Sequence, residues 1–366
     1  MSNTLTAEII TICDMDNYGN RLQNYAVQEL LERMGCSVST AWYQLPRYRG
    51  IKLLKYYVHK GLGFRVGNGY SWKLGRMRYE AFVRFNQFYV HTDNVKRLSD
   101  LRDADYYVVG SDQVWNPRWY NENRLKKDLF LLTFSEPAKK VCFAPSFGEE
   151  DILDEWKDWF AECLEDFPYI SVRENAGIDI VRKLTGKQAN ILIDPTLMLN
   201  KEDWLKIACP VPNIQLKKPY VLTYFLGDSP QEAETMIDKL IREDGYDVRK
   251  LMDKSDEDLF CAGPSEWLWL ISNASLILTD SYHACIFSFL FEKPFLVYNR
   301  ISTGMGNMNS RLNTLLAFLD LERKYIDSGL ENDVFEHDYS IGVSRLQGER
   351  VHTIEFLRKS MGLGMD

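Results

Sequence analysis

Short apolar runs recur along this chain, each too short for a helical core. Each is followed by a longer stretch with apolar residues at helical spacing, a pattern that confines the fold to βα units around mostly parallel sheets. The first series is Glu8 to Cys13, Tyr106 to Val109, Lys140 to Ala144, Tyr169 to Val172 and Asn190 to Ile193. The second is Tyr220 to Leu226, Tyr246 to Lys250, Ser275 to Leu278 and Pro294 to Tyr298. Between them, after Asp194-Pro195, the Trp204 segment with Pro210, Pro212 and Pro219 reads as a linker. With 366 residues there is room for two domains. The expected architecture is α/β, with two Rossmann-like doubly wound domains at residues 1–195 and 196–335. A helical tail, residues 336–366, carries a last helix near Val351 to Met361.

The net charge of -8 disfavours a general nucleic-acid binder, which needs a positive face for phosphates. The charge is unevenly spread. From Arg47 to Arg84 there are ten Lys/Arg residues and one acid, Glu80, so this segment carries +9 and the remainder -17. It reads as a basic insertion, residues 47–84, in the first domain, interleaved with Tyr48, Tyr56, Tyr57, Phe64, Tyr70, Trp72, Tyr79 and Phe82. Such a segment suits either a solvated helical pair or contact with an anionic membrane. The seven scattered cysteines show no metal-ligand spacing and read as reduced thiols, so no metal is expected. The N-terminus lacks a secretion signal and no apolar stretch approaches the ~20 residues of a membrane span. The expected location is cytoplasmic.

In doubly wound sheets ligands sit beyond the carboxyl ends of the strands, so the loops after these runs are the places to look for chemistry. The first, Asp14 to Asn20, precedes a helix with Asn20 as its expected N-cap and Gly35 as its stop. Asn17, Asn20, Gln23 and Asn24 there suit sugar hydroxyls, or else form only a capped βα turn. In the second, Gly110-Ser-Asp-Gln-Val-Trp-Asn-Pro117, the polar groups of Ser111, Asp112 and Gln113 and the plate of Trp115 suit a carbohydrate. An Asx turn around a core tryptophan is the simpler alternative. Ser146 ends the next strand in the same layer.

Arg173 follows an apolar strand, where its planar fork suits a carboxylate or phosphate, or an internal pair with Glu174 or Asp194. Thr279, Asp280 and Ser281 cap an apolar helix, placing Tyr282 and His283 in its first turn, where the dipole favours an anion. There the dipole would lower the pKa of His283 and a bound dianion would raise it again. Asn309 and Arg311 open a further helix after a loop containing Gly304 and Gly306. That loop completes no GxGxxG pattern, and no Walker motif occurs.

The ordered blocks NYGNRLQNYA, GSDQVWNP, APSFG, SVRE, IDPTLML, LTDSYHACIFSFLFEKPF and NMNSRL resemble the polysaccharide pyruvyl transferase family from about residue 9 to about residue 325. The departure is Ala284-Cys285, where that family commonly has a glycine. The resemblance implies a GT-B-like pair of domains across a cleft, with phosphoenolpyruvate as co-substrate and no other cofactor. It further implies a sugar hydroxyl pair as acceptor and a pyruvate ketal as product, made on a cell-surface polysaccharide precursor. It places Arg173 and His283 at the donor, and from their positions in the sequence Ser281, Tyr282, Asn309 and Arg311 are expected beside them. The first loop and Ser111, Asp112, Gln113 and Ser146 then face the acceptor, and either Asp112 or Asp14 serves as base. A lipid-linked acceptor would bring the protein to the inner face of the plasma membrane. A GT-B nucleotide-sugar glycosyltransferase and a non-catalytic glycan-binding or assembly protein are the alternatives.

Overall fold

The structure is a computed structural model that describes residues 4–43, 72–120, 124–216, 218–300, 309–325 and 334–364. Residues 47–71 of the expected basic insertion and the loop from Thr303 to Met308 lie outside the described residues.

The first half begins β1 (Thr6–Ile10), α1 (Tyr18–Arg33), β2 (Ser37–Trp42), α2 (Trp72–Tyr89), β3 (Thr92–Asn94) and β4 (Tyr106–Val109). It continues α3 (Arg124–Phe130), β5 (Lys140–Cys142), α4 (Asp154–Glu165), β6 (Ser171–Val172), α5 (Asn175–Thr185) and β7 (Asn190–Ile191). A 3-10 turn, Pro195–Met198, and α6 (Lys201–Ile207) lead to the second half. This consists of β8 (Tyr220–Tyr224), α7 (Gln231–Arg242), β9 (Asp247–Lys250), α8 (Glu257–Phe260), α9 (Pro264–Asn273), β10 (Leu276–Thr279), α10 (Tyr282–Leu290), β11 (Phe295–Val297), α11 (Asn309–Leu319) and α12 (Ser340–Ser360).

Both sheets are wholly parallel. The first has the order β3-β2-β1-β4-β5 and the second β11-β10-β8-β9, so each reverses direction once, between β1 and β4 and between β8 and β10. These are doubly wound Rossmann-like sheets, and the pair has the GT-B type of architecture. The β6-β7 pair continues the first sheet through a side chain. Ser171 donates its hydroxyl to the Cys142 carbonyl (2.8 Å) and accepts from the Ala144 amide (3.1 Å).

Alternation along the strands sorts residues between layers. Ile9, Val108 and Ile277 face one continuous core that includes residues of both sheets, whereas Ile10, Val109 and Cys142 face α4 and α5, and Leu276 and Leu278 face α7. Helix α1 lies between the two domains. Its apolar residues Leu22, Ala26 and Leu30 are buried as their spacing predicts, and so are Tyr18 and Tyr25. Tyr18 stacks on Trp267 of α9 (5.2 Å between centroids) and donates to the Ala262 carbonyl (2.9 Å), while Tyr25 meets Trp204 (5.7 Å).

Several expectations are corrected. Helix α1 starts earlier, capped by Asn17, which accepts from the Asn20 amide (3.4 Å), so Asn20 is the third helical residue and Gln23 lies beyond the first turn. The strands β2 and β3 were not expected. Their polar residues find side-chain partners: Ser39 bonds Glu8 and Asp93 (2.6 Å each), and Thr40 takes a bond from Asn24 (2.8 Å). Helix α12 is twice the expected length; Arg350 donates to the Leu197 (2.7 Å) and Leu199 (2.8 Å) carbonyls of the segment joining the domains, and Phe356 meets Tyr169 of the first domain (6.5 Å). In the described part of the basic segment, Arg76 pairs with Glu80 (2.6 Å). Arg78 is buried between the domains, donating to Phe260 O and Asp16 O (3.0 Å each). Arg78 is therefore an internal clamp and no part of a membrane-facing surface. No helix among the described residues is long and apolar enough to cross a membrane.

Because Trp267 belongs to the core shared by both domains, Trp267→Ala should cost ~3–5 kcal/mol. Calorimetry should show one transition moved to lower temperature. A new transition confined to part of the enthalpy would contradict a shared core.

Candidate active site

Loops from the carboxyl ends of β1, β4, β5, β6 and β7 converge where the first sheet reverses direction, the position at which this fold class binds ligands. The start of α10 faces them from the second sheet, after β10, and Arg311 joins from the first turn of α11.

Arg173, fully buried, occupies the centre. Its Nη1 donates to Asp194 Oδ2 (2.8 Å) and to Ser111 Oγ (3.3 Å), and its Nη2 donates to Asp112 Oδ1 (3.1 Å). The internal pair considered from sequence is thus formed with Asp194, and Asp112 completes a fork. Arg311 Nη1 lies 3.5 Å from the same Asp112 oxygen. The Tyr282 ring packs under both guanidinia, with centroids 4.8 Å and 5.9 Å away. His283 is the second residue of α10, with Nε2 3.6 Å from Asp194 Oδ2, too long for a hydrogen bond but close enough for a strong charge interaction. The other edge of the ring lies against Gly19 of α1.

Backbone geometry fixes Asp112. Its φ is 69°, in the left-handed region that short polar side chains tolerate best, and its carbonyl accepts from the amides of Val114 and Ser146 (2.8 Å each). Burial would raise its pKa, but Arg173, His283 and Arg311 outweigh burial and hold it below the usual carboxylate value. Asp194 is held well below that range despite complete burial, by His283, Arg173 and Thr196. Asp14 goes the other way. Burial pushes it up to about 7, Arg21 opposing and Asp16 and Asp112 adding, although Asn20 donates to its Oδ2.

The remaining predicted residues fall into two groups. Asn20 and Gln23 stay with the cluster, Gln23 donating to Thr11 Oγ1 (2.7 Å), and Gln113 packs over Gly148. Others are turned to structural work. Asn24 donates to Thr40 in β2 and accepts from Arg21 Nη1 (3.2 Å), because the helical turn carries it away from the loop face. Ser146 gives its hydroxyl hydrogen to Glu174 Oε1 (2.9 Å). Asn17 and Ser281 act as N-caps, Ser281 accepting from the Ala284 amide (3.4 Å). Trp115 is no carbohydrate plate: it is fully buried, with Nε1 donating to the Phe130 carbonyl (3.0 Å). Asn309 begins α11, and its side chain is outside the described residues.

Three members of the site were not among the expected functional residues, Asp194 and Glu174 having entered only as pair partners for Arg173. Asp194 precedes Pro-Thr, a 3-10 capping signature that hides its second role. Glu174 gathers Ser146 Oγ and the amides of Phe147 (3.0 Å) and Gly148 (3.3 Å), which only the fold brings to it. Gly19 has ordinary helical backbone, so its reason for being glycine lies across the domain boundary in His283.

Buried polar atoms without a partner concentrate here. Nitrogens are left at Arg173 Nε, Arg311 Nε and His283 Nε2, and acceptors at Asp14 Oδ1, Asn20 Oδ1, Gln23 Oε1 and Glu174 Oε2. Such atoms are costly unless a ligand or water meets them. No group of three or more potential metal-binding His, Cys, Asp or Glu side chains occurs among the described residues.

A GT-B-type protein with a buried arginine–histidine–carboxylate cluster between its domains is the class that fold and site define. The sequence model of the family described as polysaccharide pyruvyl transferase matches residues 17–302. The chain belongs to that family, and is by that membership a transferase of polysaccharide biosynthesis. Among solved structures it is similar to a glycosyltransferase from Rickettsia africae, with 10% identity, 98% of this chain and 99% of that one covered, and a TM-score of 0.46. A functionally uncharacterized protein from Klebsiella pneumoniae gives 13% identity, 87% and 92% coverage and a TM-score of 0.44. MurG from Acinetobacter baumannii gives 10%, 97% and 99%, and 0.39. No curated protein matches the chain.

An alanine at position 19 would put its Cβ 2.0 Å from His283 Nδ1. Glycine to alanine within a helix ordinarily gains up to ~1 kcal/mol. Here Gly19→Ala should instead lower stability in chemical denaturation, and a gain would show that His283 is free to move aside.

Proposed function

We propose that this protein transfers the enolpyruvyl group of phosphoenolpyruvate to two hydroxyls of a sugar, forming a pyruvate ketal and releasing phosphate. The observation that carries this reading is the sorting of unpartnered atoms. Arg173, Arg311 and His283 present an anion-binding side, while Asp14, Asn20 and Gln23 present acceptor atoms suited to hydroxyl donors.

In this reading Arg173 and Arg311 hold the carboxylate or phosphate of the donor in the place where Asp112 now bridges them. His283 Nε2 protonates C3 of the enol ether, so positive charge develops at C2 and the first sugar hydroxyl adds there. The proton of that hydroxyl goes to a carboxylate. Asp112, held acidic, is the weaker base, and Asp14, raised to about 7, is matched to neutral pH. The C2–O bond to phosphate then breaks, the second hydroxyl closes the ketal, and its proton leaves with phosphate. No redox step is involved, and phosphoenolpyruvate is the only co-substrate required.

A lipid-linked sugar is among the candidate acceptors, and the basic composition of residues 47–84, apart from the buried Arg78, suits contact with an anionic membrane from the cytoplasm. A nucleotide-sugar glycosyltransferase fits the same fold, as does a glycan-binding protein without turnover.

Incubating the protein with phosphoenolpyruvate and free, nucleotide-linked or lipid-linked sugars, the last in neutral and anionic vesicles, should give phosphate release and the mass gain of a ketal on one acceptor class. Thermal stabilisation by nucleotide sugars alone would favour the glycosyltransferase, and binding of a glycan without product the non-catalytic protein. His283→Ala and Arg173→Ala should each reduce phosphate release by ~10²-fold or more, and near-wild-type turnover in either would remove it from the mechanism. The wild-type rate should rise with pH through about 7 as Asp14 loses its proton. Asp14→Asn should be slow and lack that rise, and its survival in the variant would reject Asp14 as the base.

A further inference from the structure

We propose that Asp194 is a positioning residue that holds the imidazole of His283 in place at the donor, a role that rests on the phosphoenolpyruvate reading. The two oxygens of Asp194 have different duties. Oδ1 is locked to its own turn, accepting from the Thr196 amide (3.0 Å) and hydroxyl (2.7 Å). Oδ2 points into the cluster, accepting from Arg173 Nη1 (2.8 Å) and Ser111 Oγ (3.3 Å) with His283 Nε2 at 3.6 Å.

With its oxygens so held, the carboxylate has no rotation that would bring it into hydrogen bond with Nε2. It lies beside the ring without taking a hydrogen bond from it, and Nε2 stays available to substrate. Arg173 and Thr196 ensure that Asp194 itself remains ionised. The groups facing His283 are Asp194 beyond β7, Asp112 beyond β4 and, through their pairs with these carboxylates, Arg173 beyond β6 and Arg311 of α11. The residue that α1 sets against the ring is Gly19, which brings no charge, and Asp14 lies in the loop before it. Asp194 is the nearest ion-pair partner of Nε2 and the most completely buried, so it dominates.

Two variants separate charge from orientation. Asp194→Asn removes the charge. If His283 is the general acid, phosphate release should fall by ~10²-fold. Thr196→Val keeps the charge and the bond from the amide of residue 196 but removes the hydroxyl bond to Oδ1, and should slow turnover several-fold. A second readout needs no substrate. The imidazole nitrogen resonances of His283, identified by their loss in His283→Ala, should shift in Asp194→Asn and stay in place in Thr196→Val.

Unchanged His283 resonances in a folded Asp194→Asn protein would overturn the proposal whatever the activity. Shifted resonances in a protein that does not turn over phosphoenolpyruvate would uphold the coupling and reject the reaction. Should Asp194→Asn fail to fold, wild-type turnover in Thr196→Val would count against the orientation of the carboxylate and sink the proposal, and the several-fold loss would uphold it.

Discussion

Helix α1 is buried along most of its length, and only Glu29, Glu32 and Arg33 near its end reach water. Tyr18, Leu22, Tyr25, Ala26, Leu30 and Leu31 surround it with apolar and aromatic surface, and the first sheet can bury only one side. The second domain covers the rest through Trp204, Tyr224 and Trp267. Burying an aromatic side chain is worth a few kcal/mol, so this contact alone supplies a driving force comparable with the stability of a small domain. Everything else at the junction follows from it. The two sheets share one core, Arg78 is drawn in to satisfy Phe260 and Asp16, and the first turn of α10 arrives opposite the first turn of α1.

Charge burial at the junction follows a second rule, that ions taken from water must be paired. Two guanidinia and one imidazole meet Asp112 and Asp194, with Asp14 and Glu174 at the margins. The pairing is incomplete by design of the packing: each cation keeps a nitrogen without an acceptor, while Asp14 and Glu174 each keep an oxygen without a donor. Opposed burial and charge effects also spread the carboxylates over a wide range of acidity, which lets neighbouring groups of one chemical type do different work.

How much of this was legible in the sequence depended on whether a residue's partner is near it in the chain. Apolar strands such as Tyr106 to Val109 announce themselves, since burial on both faces demands a continuous apolar run. Strand β2 does not, because Ser39 and Thr40 are buried by bonds to Glu8, Asp93 and Asn24 that only the folded sheet provides. The loops bearing Ser111, Asp112, Arg173 and His283 stood out as polar groups after apolar strands. Which way each side chain turns was not legible: Asn24 and Ser146 are occupied by Thr40 and Glu174, and Trp115 is enclosed by Phe147 and Phe167. Asp194 was legible only as a possible partner of Arg173; that one of its oxygens caps the 3-10 turn while the other serves the site depends on the fold.

The contact between Gly19 and His283 carries a consequence for motion. In a two-domain enzyme that opens by a hinge, the groups on either side of the cleft separate and meet again in each cycle. Here the same residues that flank the reacting centre are embedded in the common core, so a hinge wide enough to admit a sugar would expose Tyr18, Trp204 and Trp267 together. The machinery behaves as a fixed socket, with entry and exit left to loops and side chains, and a change of alignment between the domains of even an ångström would be felt at the imidazole before anywhere else.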